Sequence, residues 1–286
     1  MEFAKSTFDT ALSLNGMRVV IDCAHGAAYR TAPDTLHELG AELITMGVAP
    51  DGLNINEGCG ATAPDGMAKT ARDAGADIGI GLDGDADRLI VADETGCVCD
   101  GDQILAALAL DMKANGLLEG PVVGTVMTNL GLERLLREHG IEFERAAVGD
   151  RYIHERMTET GGMLGGEPSG HILLPRLTRS GDGLIAALQI LGVMRRTGRK
   201  ASEIFNQFTP VPQKLVNLRD IDKTALAEPY LQQIVSDVEA ELGDEGRVVL
   251  RLSGTEPLIR VMVEALNNNT LDNAMTKLVN AIEAYR

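Results

Sequence analysis

Apolar and polar residues along this chain fall into blocks that switch between a strand-like and a helix-like period. Residues 17–23 (Met-Arg-Val-Val-Ile-Asp-Cys) form a β-rich apolar run. Ala24-His-Gly then turns into a helix-like stretch ending at Leu39-Gly40, and 41–47 reads as a second strand. A helix over 64–74 leads into the short, glycine-punctuated apolar strand 76–82. This βαβαβ order predicts a parallel sheet with helices on its faces. Residues 89–92, with a turn at Thr95-Gly96, add an antiparallel edge.

The alternation then restarts. An Ala/Leu-rich helix over 102–113 precedes a strand at 122–127, a helix at 131–139 stopped by Gly140, and a strand at 142–148. That strand runs into Gly149-Asp150-Arg151 and a helix to Thr160. Residues 163–166 open the loop Gly-Gly-Glu-Pro-Ser-Gly-His, and Asp182 reads as the N-cap of a helix to about residue 196. Both alternations end a central strand on an Asp-Arg pair, Asp87-Arg88 and Asp150-Arg151, which hints at a duplicated plan. Around 208–213 two prolines flanking a valine break the rhythm and read as a linker or edge strand. A strand at 214–218, an amphipathic helix from about 224 to 242, strands at 247–252 and 258–266, and a helix from 271 onward follow. The expected fold class is α/β: two successive three-layer α/β/α mixed-sheet domains (1–98 and 99–207) followed by a small α+β domain (208–286).

The chain has 286 residues, enough for two or three cores. A formal charge of −16 argues against nucleic acid or an anionic membrane as partner, so an anionic ligand must be met locally by arginines and a metal. The longest apolar stretch, 183–194, is interrupted by Gln189 and is too short to span a bilayer. The first residues lack the basic-then-apolar pattern of a signal peptide. Cys23, Cys59, Cys97 and Cys99 lack zinc-like spacing and read as free thiols, so a cytoplasmic location is expected.

The chemistry concentrates first in 82–88, Leu-Asp-Gly-Asp-Ala-Asp-Arg. In an extended segment alternate side chains share a face, so Asp83, Asp85 and Asp87 converge. Clustered carboxylates repel unless a cation sits among them, and hard oxygen ligands select Mg²⁺ or Ca²⁺. The segment mimics an EF-hand loop but carries Arg88 where that loop needs glycine, and no amphipathic helix flanks it. A solvated acidic turn is the plainer alternative. Arg88 beside three aspartates at the end of a buried strand favours a metal site that also holds an anion.

Two further loops carry polar chemistry. Residues 165–171, Gly-Gly-Glu-Pro-Ser-Gly-His, place Glu167 and Ser169 on a tight loop suited to sugar hydroxyls or an amine. On the residues alone, His171 there reads as a satisfied core or edge histidine. Residues 251–260, Arg-Leu-Ser-Gly-Thr-Glu-Pro-Leu-Ile-Arg, combine Gly254, whose missing Cβ lets backbone N–H groups approach an oxyanion, with Ser253 and Thr255 hydroxyls and two forked cations, Arg251 and Arg260. A plain hairpin turn would use the same small residues.

In this order the three loops resemble the metal-, sugar- and phosphate-binding loops of the α-D-phosphohexomutases, over essentially the whole chain. Segments 51–62, 124–133 and 148–152 are similar to the branch that acts on phosphorylated amino sugars. The resemblance implies an isomerase that transfers a phosphoryl group within such a sugar. It implies Mg²⁺ on Asp83, Asp85 and Asp87, completed by an oxygen of a phosphoserine, with Arg88 screening charge at the catalytic centre. It assigns Glu167, Ser169 and His171 to the sugar, and Arg251, Ser253, Gly254, Thr255 and Arg260 to the non-transferring phosphate, on a small domain hinged near 208–213. The family's first domain carries the phosphoserine in a Ser-His-Asn-like loop, and none of the serines at 6, 13, 169, 180, 202, 236 and 253 sits in such a setting. The chain thus resembles domains two to four. The missing N-terminal domain is an expected partner, the chain alone is expected to be inactive, and a homodimer is compatible with the resemblance. Glucose or mannose phosphate as substrate, or a non-catalytic phosphosugar-binding module, are the other readings.

Overall fold

A computed structural model describes residues 1–221, 223–252 and 258–285, with Lys223 described in its backbone only. The chain divides into two compact units, Met1–Thr128 with Leu132–Phe208, and Asn129–Gly131 with Thr209–Arg286.

The first unit holds two mixed sheets. After a short helix α1 (Glu2–Ser6), strand β1 (Arg18–Asp22), helix α2 (Thr31–Glu38), β2 (Glu42–Met46), α3 (Asp65–Asp73), β3 (Ile78–Leu82), β4 (Leu89–Asp93) and β5 (Val98–Cys99) build the first sheet, in the order β2-β1-β3-β4-β5. The pairs β1–β2 and β1–β3 are parallel; β3–β4 and β4–β5 are antiparallel. The expected edge at 89–92 is therefore an interior strand, buried at all five positions, because β5 pairs outside it. Val20 and Ala92 pack with Met67, Ala68 and Ala71 of α3 on one face, while Val19, Ile21, Ile80 and Val91 join Leu36 of α2 on the other. The helix expected directly after Gly26 begins only at Thr31. Residues 24 and 25 adopt positive φ instead, as the His25 N–H donates to the Gly47 carbonyl at 2.7 Å.

The second sheet takes α4 (Gly101–Ala114), β6 (Val122–Thr125), α5 (Leu130–Glu138), β7 (Phe143–Ala146), α6 (Asp150–Thr160), β8 (Leu164–Gly166), β9 (Ile172–Leu173), α7 (Gly183–Thr197) and α8 (Ala201–Phe205), with strand order β7-β6-β8-β9. Ile153 and Met157 of α6 cover one face; Leu132 and Leu136 of α5 with the apolar side of α4 cover the other. Asp182 caps α7 as expected, accepting from the Ile185 N–H at 3.0 Å. The apolar α7 packs against β3 and β4 as well as α4, so a single continuous core serves both sheets.

In the second unit, β10 (Gln213–Arg219), β12 (Leu258–Ala265) and β11 (Gly246–Leu252) form an antiparallel sheet in the order β10-β12-β11. Helices α9 (Pro229–Leu242) and α10 (Asn268–Glu283) bury Leu231, Val238, Leu271 and Leu278 against Ile259, Val261 and Val263 on one sheet face. The helix expected from 224 begins at Pro229. Residues Lys223–Ala227 are a separate 3₁₀ turn, and Glu228 is extended (ψ 128°), as steric crowding before proline favours. α10 starts at Asn268 rather than Leu271, because the Asn267 side chain accepts from the Asn269 N–H at 2.8 Å and sets the cap earlier. The overall class is the expected one: mixed α/β sheets in α/β/α layers, then a small antiparallel sheet with both helices on one side.

Candidate metal and phosphosugar site

β1 and β3 lie side by side and parallel, so the segments leaving their carboxyl ends, 23–27 and 83–88, rise together. Between β3 and β4 the chain turns rather than continuing extended, with Ala86 at φ 63°. The three aspartates are thus gathered by a tight turn, not by strand alternation as expected, and one oxygen from each lies within 4.8 Å of the others. Two neighbours hold the turn. The Gly84 carbonyl accepts from the Ala27 N–H at 2.7 Å, and a Cβ at residue 84 would fall 2.6 Å from Ile55 Cδ1, so a side chain there would have to displace the exposed Ile55. Below, the buried Asp22 carboxylate accepts from the Ala24 N–H at 3.0 Å and the Gly60 N–H at 2.9 Å, tying both supporting loops to the end of β1.

Asp83 is buried, Asp87 half-buried and Asp85 exposed. Burial pushes the Asp83 carboxyl above the usual range and the charges of Asp87 and Asp85 add to it, while the hydrogen bond from the Arg88 N–H (3.1 Å) and the Arg88 guanidinium offset part of the rise. Arg88 Nε stands 3.7 Å from Asp83 Oδ2 and 3.8 Å from Asp87 Oδ1. Asp87 Oδ1 is nevertheless buried without a hydrogen bond. A buried carboxylate oxygen with no hydrogen bond, beside two further carboxylates, suits a hard divalent cation, and the donor set is all oxygen.

The loop 165–171 is joined directly to this turn. Arg88 and His171 form an antiparallel backbone bridge, and the Leu89 N–H donates to the Gly170 carbonyl at 2.9 Å. The Gly183 N–H donates to the Ala86 carbonyl at 2.8 Å, so the N-terminus of α7 closes the other side. Glu167 is half-buried and its Oε1 accepts from the Gly149 N–H at 3.0 Å, which links the loop to the start of α6. Ser169 is exposed. His171 is buried, with Nδ1 3.2 Å from Asp87 Oδ2. The contacts that seat this loop were not visible in the sequence: a Cβ on Gly101, at the start of α4, would lie 1.9 Å from the Glu167 carbonyl oxygen. The adjoining Asp100-Gly101 cap-and-glycine pair is the signal that could have drawn attention to it.

In the second unit Arg251 and Arg260 are direct cross-strand partners, and Asn217 of β10 pairs with Arg260 from the other side. All three project from the face that α9 and α10 leave uncovered, since the alternate residues Val216, Leu250 and Ile259 face the helices. Two forked cations thus stand on one sheet face. Ser253, Gly254 and Thr255 lie outside the described residues.

Three-layer α/β/α sheets with an aspartate turn after β3, followed by a small sheet carrying paired arginines, define a chain of the phosphohexomutase type. It belongs to the phosphoglucomutase/phosphomannomutase family: models of alpha/beta/alpha domain II, alpha/beta/alpha domain III and the C-terminal domain match residues 1–96, 100–211 and 210–280. It is 52% identical over 285 residues to a phosphoglucosamine mutase of Caulobacter vibrioides, which covers 99% of the chain and 64% of that relative. A phosphoglucosamine mutase of Granulibacter bethesdensis is 52% identical over 283 residues, covering 99% of the chain and 62% of the relative. The chain therefore spans less than two thirds of the length of these relatives. A phosphoglucomutase/phosphomannomutase family protein from Burkholderia thailandensis superposes with a TM-score of 0.82 at 22% identity, covering 99% of the chain and 63% of that structure. An N-acetylphosphoglucosamine mutase of Aspergillus fumigatus, solved with GlcNAc-6P and magnesium, does so with 0.76 at 20% identity, covering 99% and 64%.

Proposed function

We propose that the chain supplies the metal-, sugar- and phosphate-binding parts of a phosphoglucosamine mutase, which interconverts glucosamine 6-phosphate and glucosamine 1-phosphate. The observation that carries this reading is the fusion of the aspartate turn to the Glu167 loop through the Arg88–His171 bridge, in a chain half identical to phosphoglucosamine mutases along its length. Asp83, Asp85 and Asp87 would hold Mg²⁺, the ion in the Aspergillus complex. Bound there, the ion lowers the repulsion between a phosphoryl group and an attacking sugar hydroxyl. Arg88, whose guanidinium stands between Asp83 and Asp87, adds a second positive charge beside that group. Glu167 and Ser169 offer a carboxylate and a hydroxyl for the sugar hydroxyls and amine. Arg251 and Arg260 clamp the phosphate that is not transferred, and Ser253, Gly254 and Thr255 between them in the sequence offer two hydroxyls and a side-chain-free backbone to the same group. A phosphoserine, carried in this family by its first domain, would give and take the phosphoryl group. The three segments follow the boundaries 1–98, 99–207 and 208–286.

The test is glucosamine 1-phosphate formation, primed with the 1,6-bisphosphate, on the chain combined with the phosphoserine-bearing domain of a matched relative. The reading expects turnover that needs Mg²⁺ and is lost in Asp85→Asn. Turnover of glucose or mannose phosphate in preference to the amino sugar would overturn the substrate assignment, and binding without turnover in the complemented system would favour a phosphosugar-binding module.

A further inference from the structure

His171 sits in the sugar loop, yet its contacts run towards the aspartates. Its backbone is clamped twice: by the bridge to Arg88, and by its carbonyl, which accepts from the Glu167 N–H at 3.1 Å. The ring is thereby fixed with Nδ1 3.2 Å from Asp87 Oδ2. On its other side the ring lies flush against residue 181, where a Cβ would fall 2.5 Å from both Cε1 and Nε2. Nε2 is buried and makes no hydrogen bond. A ring that bound sugar through Nε2 would present that atom to open space; here it is sealed against Gly181.

Asp87 shows the complementary half. Oδ2 lies 3.2 Å from the imidazole Nδ1, whereas Oδ1 is buried without a hydrogen bond, with Arg88 Nε no closer than 3.8 Å. A carboxylate with one oxygen held by a fixed donor has its second oxygen in one fixed direction. Outer-shell donors of this kind orient metal-ligating groups and commonly contribute ten- to hundredfold, on the order of magnitude, in metal affinity.

We propose that His171 is a positioning residue for the divalent cation: its Nδ1–H holds Asp87 Oδ2 so that Oδ1 stays aimed at the ion. The inference rests on the reading of Asp83, Asp85 and Asp87 as cation ligands. It also explains the bridge between the two loops, since seating the sugar loop seats a metal ligand.

The two ring nitrogens can be separated by substitution, because an Asn amide mimics the Nδ1 position and a Gln amide the Nε2 position. Mn²⁺ binding, followed by electron paramagnetic resonance of the free ion, is compared in the parent, His171→Asn, His171→Gln and His171→Leu. Thermal melts in chelator verify that each variant is folded. We expect Asn to stay within about threefold of the parent and Gln and Leu to lose roughly tenfold or more. Glucosamine 6-phosphate affinity measured in chelator should be the same in all four. Equal Mn²⁺ affinity in every variant, or retention by Gln and loss by Asn, overturns the proposal while leaving the aspartate site intact. Weakened phosphosugar binding in chelator would make His171 a sugar ligand instead. A parent that binds no Mn²⁺ overturns the metal reading itself, and this inference with it.

Discussion

The Gly170 carbonyl accepts from the Leu89 N–H at 2.9 Å, one residue beyond the bridge between Arg88 and His171. Gly170 has φ 90°, and a Cβ there would lie 2.2 Å from the Leu89 carbonyl oxygen. Glycine at this position is what lets the loop 165–171 lie against the first residue of β4.

Gly170→Ala must therefore separate the two loops or strain the backbone, at a cost of about 1–3 kcal/mol for the strain alone. Its melting temperature should fall, and Mn²⁺ and glucosamine 6-phosphate affinity should fall together. Gly116→Ala, which also has positive φ (67°) but no atom within 4 Å of the added Cβ, is the control; it should lose about 1 kcal/mol and leave both affinities unchanged.

Asp83 gives a pH-dependent prediction. Its carboxyl is raised above the usual range by burial first, then by Asp87 and Asp85. A raised acid favours folding in its protonated form. That contribution is complete below the ordinary carboxylate pKa and is lost as pH rises through the raised one. In chelator, Asp83→Asn should melt higher than the parent at neutral pH, and the gap should close on acidification. The variant keeps the Oδ1 acceptor for the Arg88 N–H. Saturating Mn²⁺ should reverse the order, because only the parent gains a ligand. Calorimetric melts from pH 4 to 8, with and without the ion, give the comparison.

The longer strands were largely legible in the sequence because local rules govern them. β1, β3 and the cap of α7 follow from apolar runs and one well-placed aspartate, Asp182. What stayed hidden is set by tertiary packing. β5 and β9 are two residues long, too short for any period, and exist because a neighbouring strand offers its edge. The packing of Gly101 on the Glu167 carbonyl and the reach of His171 to Asp87 join residues 66 and 84 positions apart, which spacing cannot reveal. The convergence of the aspartates was anticipated for a different reason: the left-handed Ala86, not an extended strand, brings them together.

Arg260 tests the phosphate clamp. It pairs with Arg251 across β11 and β12 and with Asn217 across β10. Arg260→Lys keeps the charge but loses the fork, so it should weaken glucosamine 6-phosphate by several-fold, on the order of 1 kcal/mol, and leave glucosamine unaffected. Calorimetric titration with both ligands measures the difference; an equal loss for both would make the arginine pair structural.

The aspartate turn is the claim on which the rest depends, and Mn²⁺ titration of the parent against Asp85→Asn addresses it directly. Asp85 is exposed, so the substitution leaves the fold undisturbed while removing one of three carboxylate ligands. The account predicts saturable binding in the parent that disappears in the variant. Equal binding in both, or none in either, would contradict it.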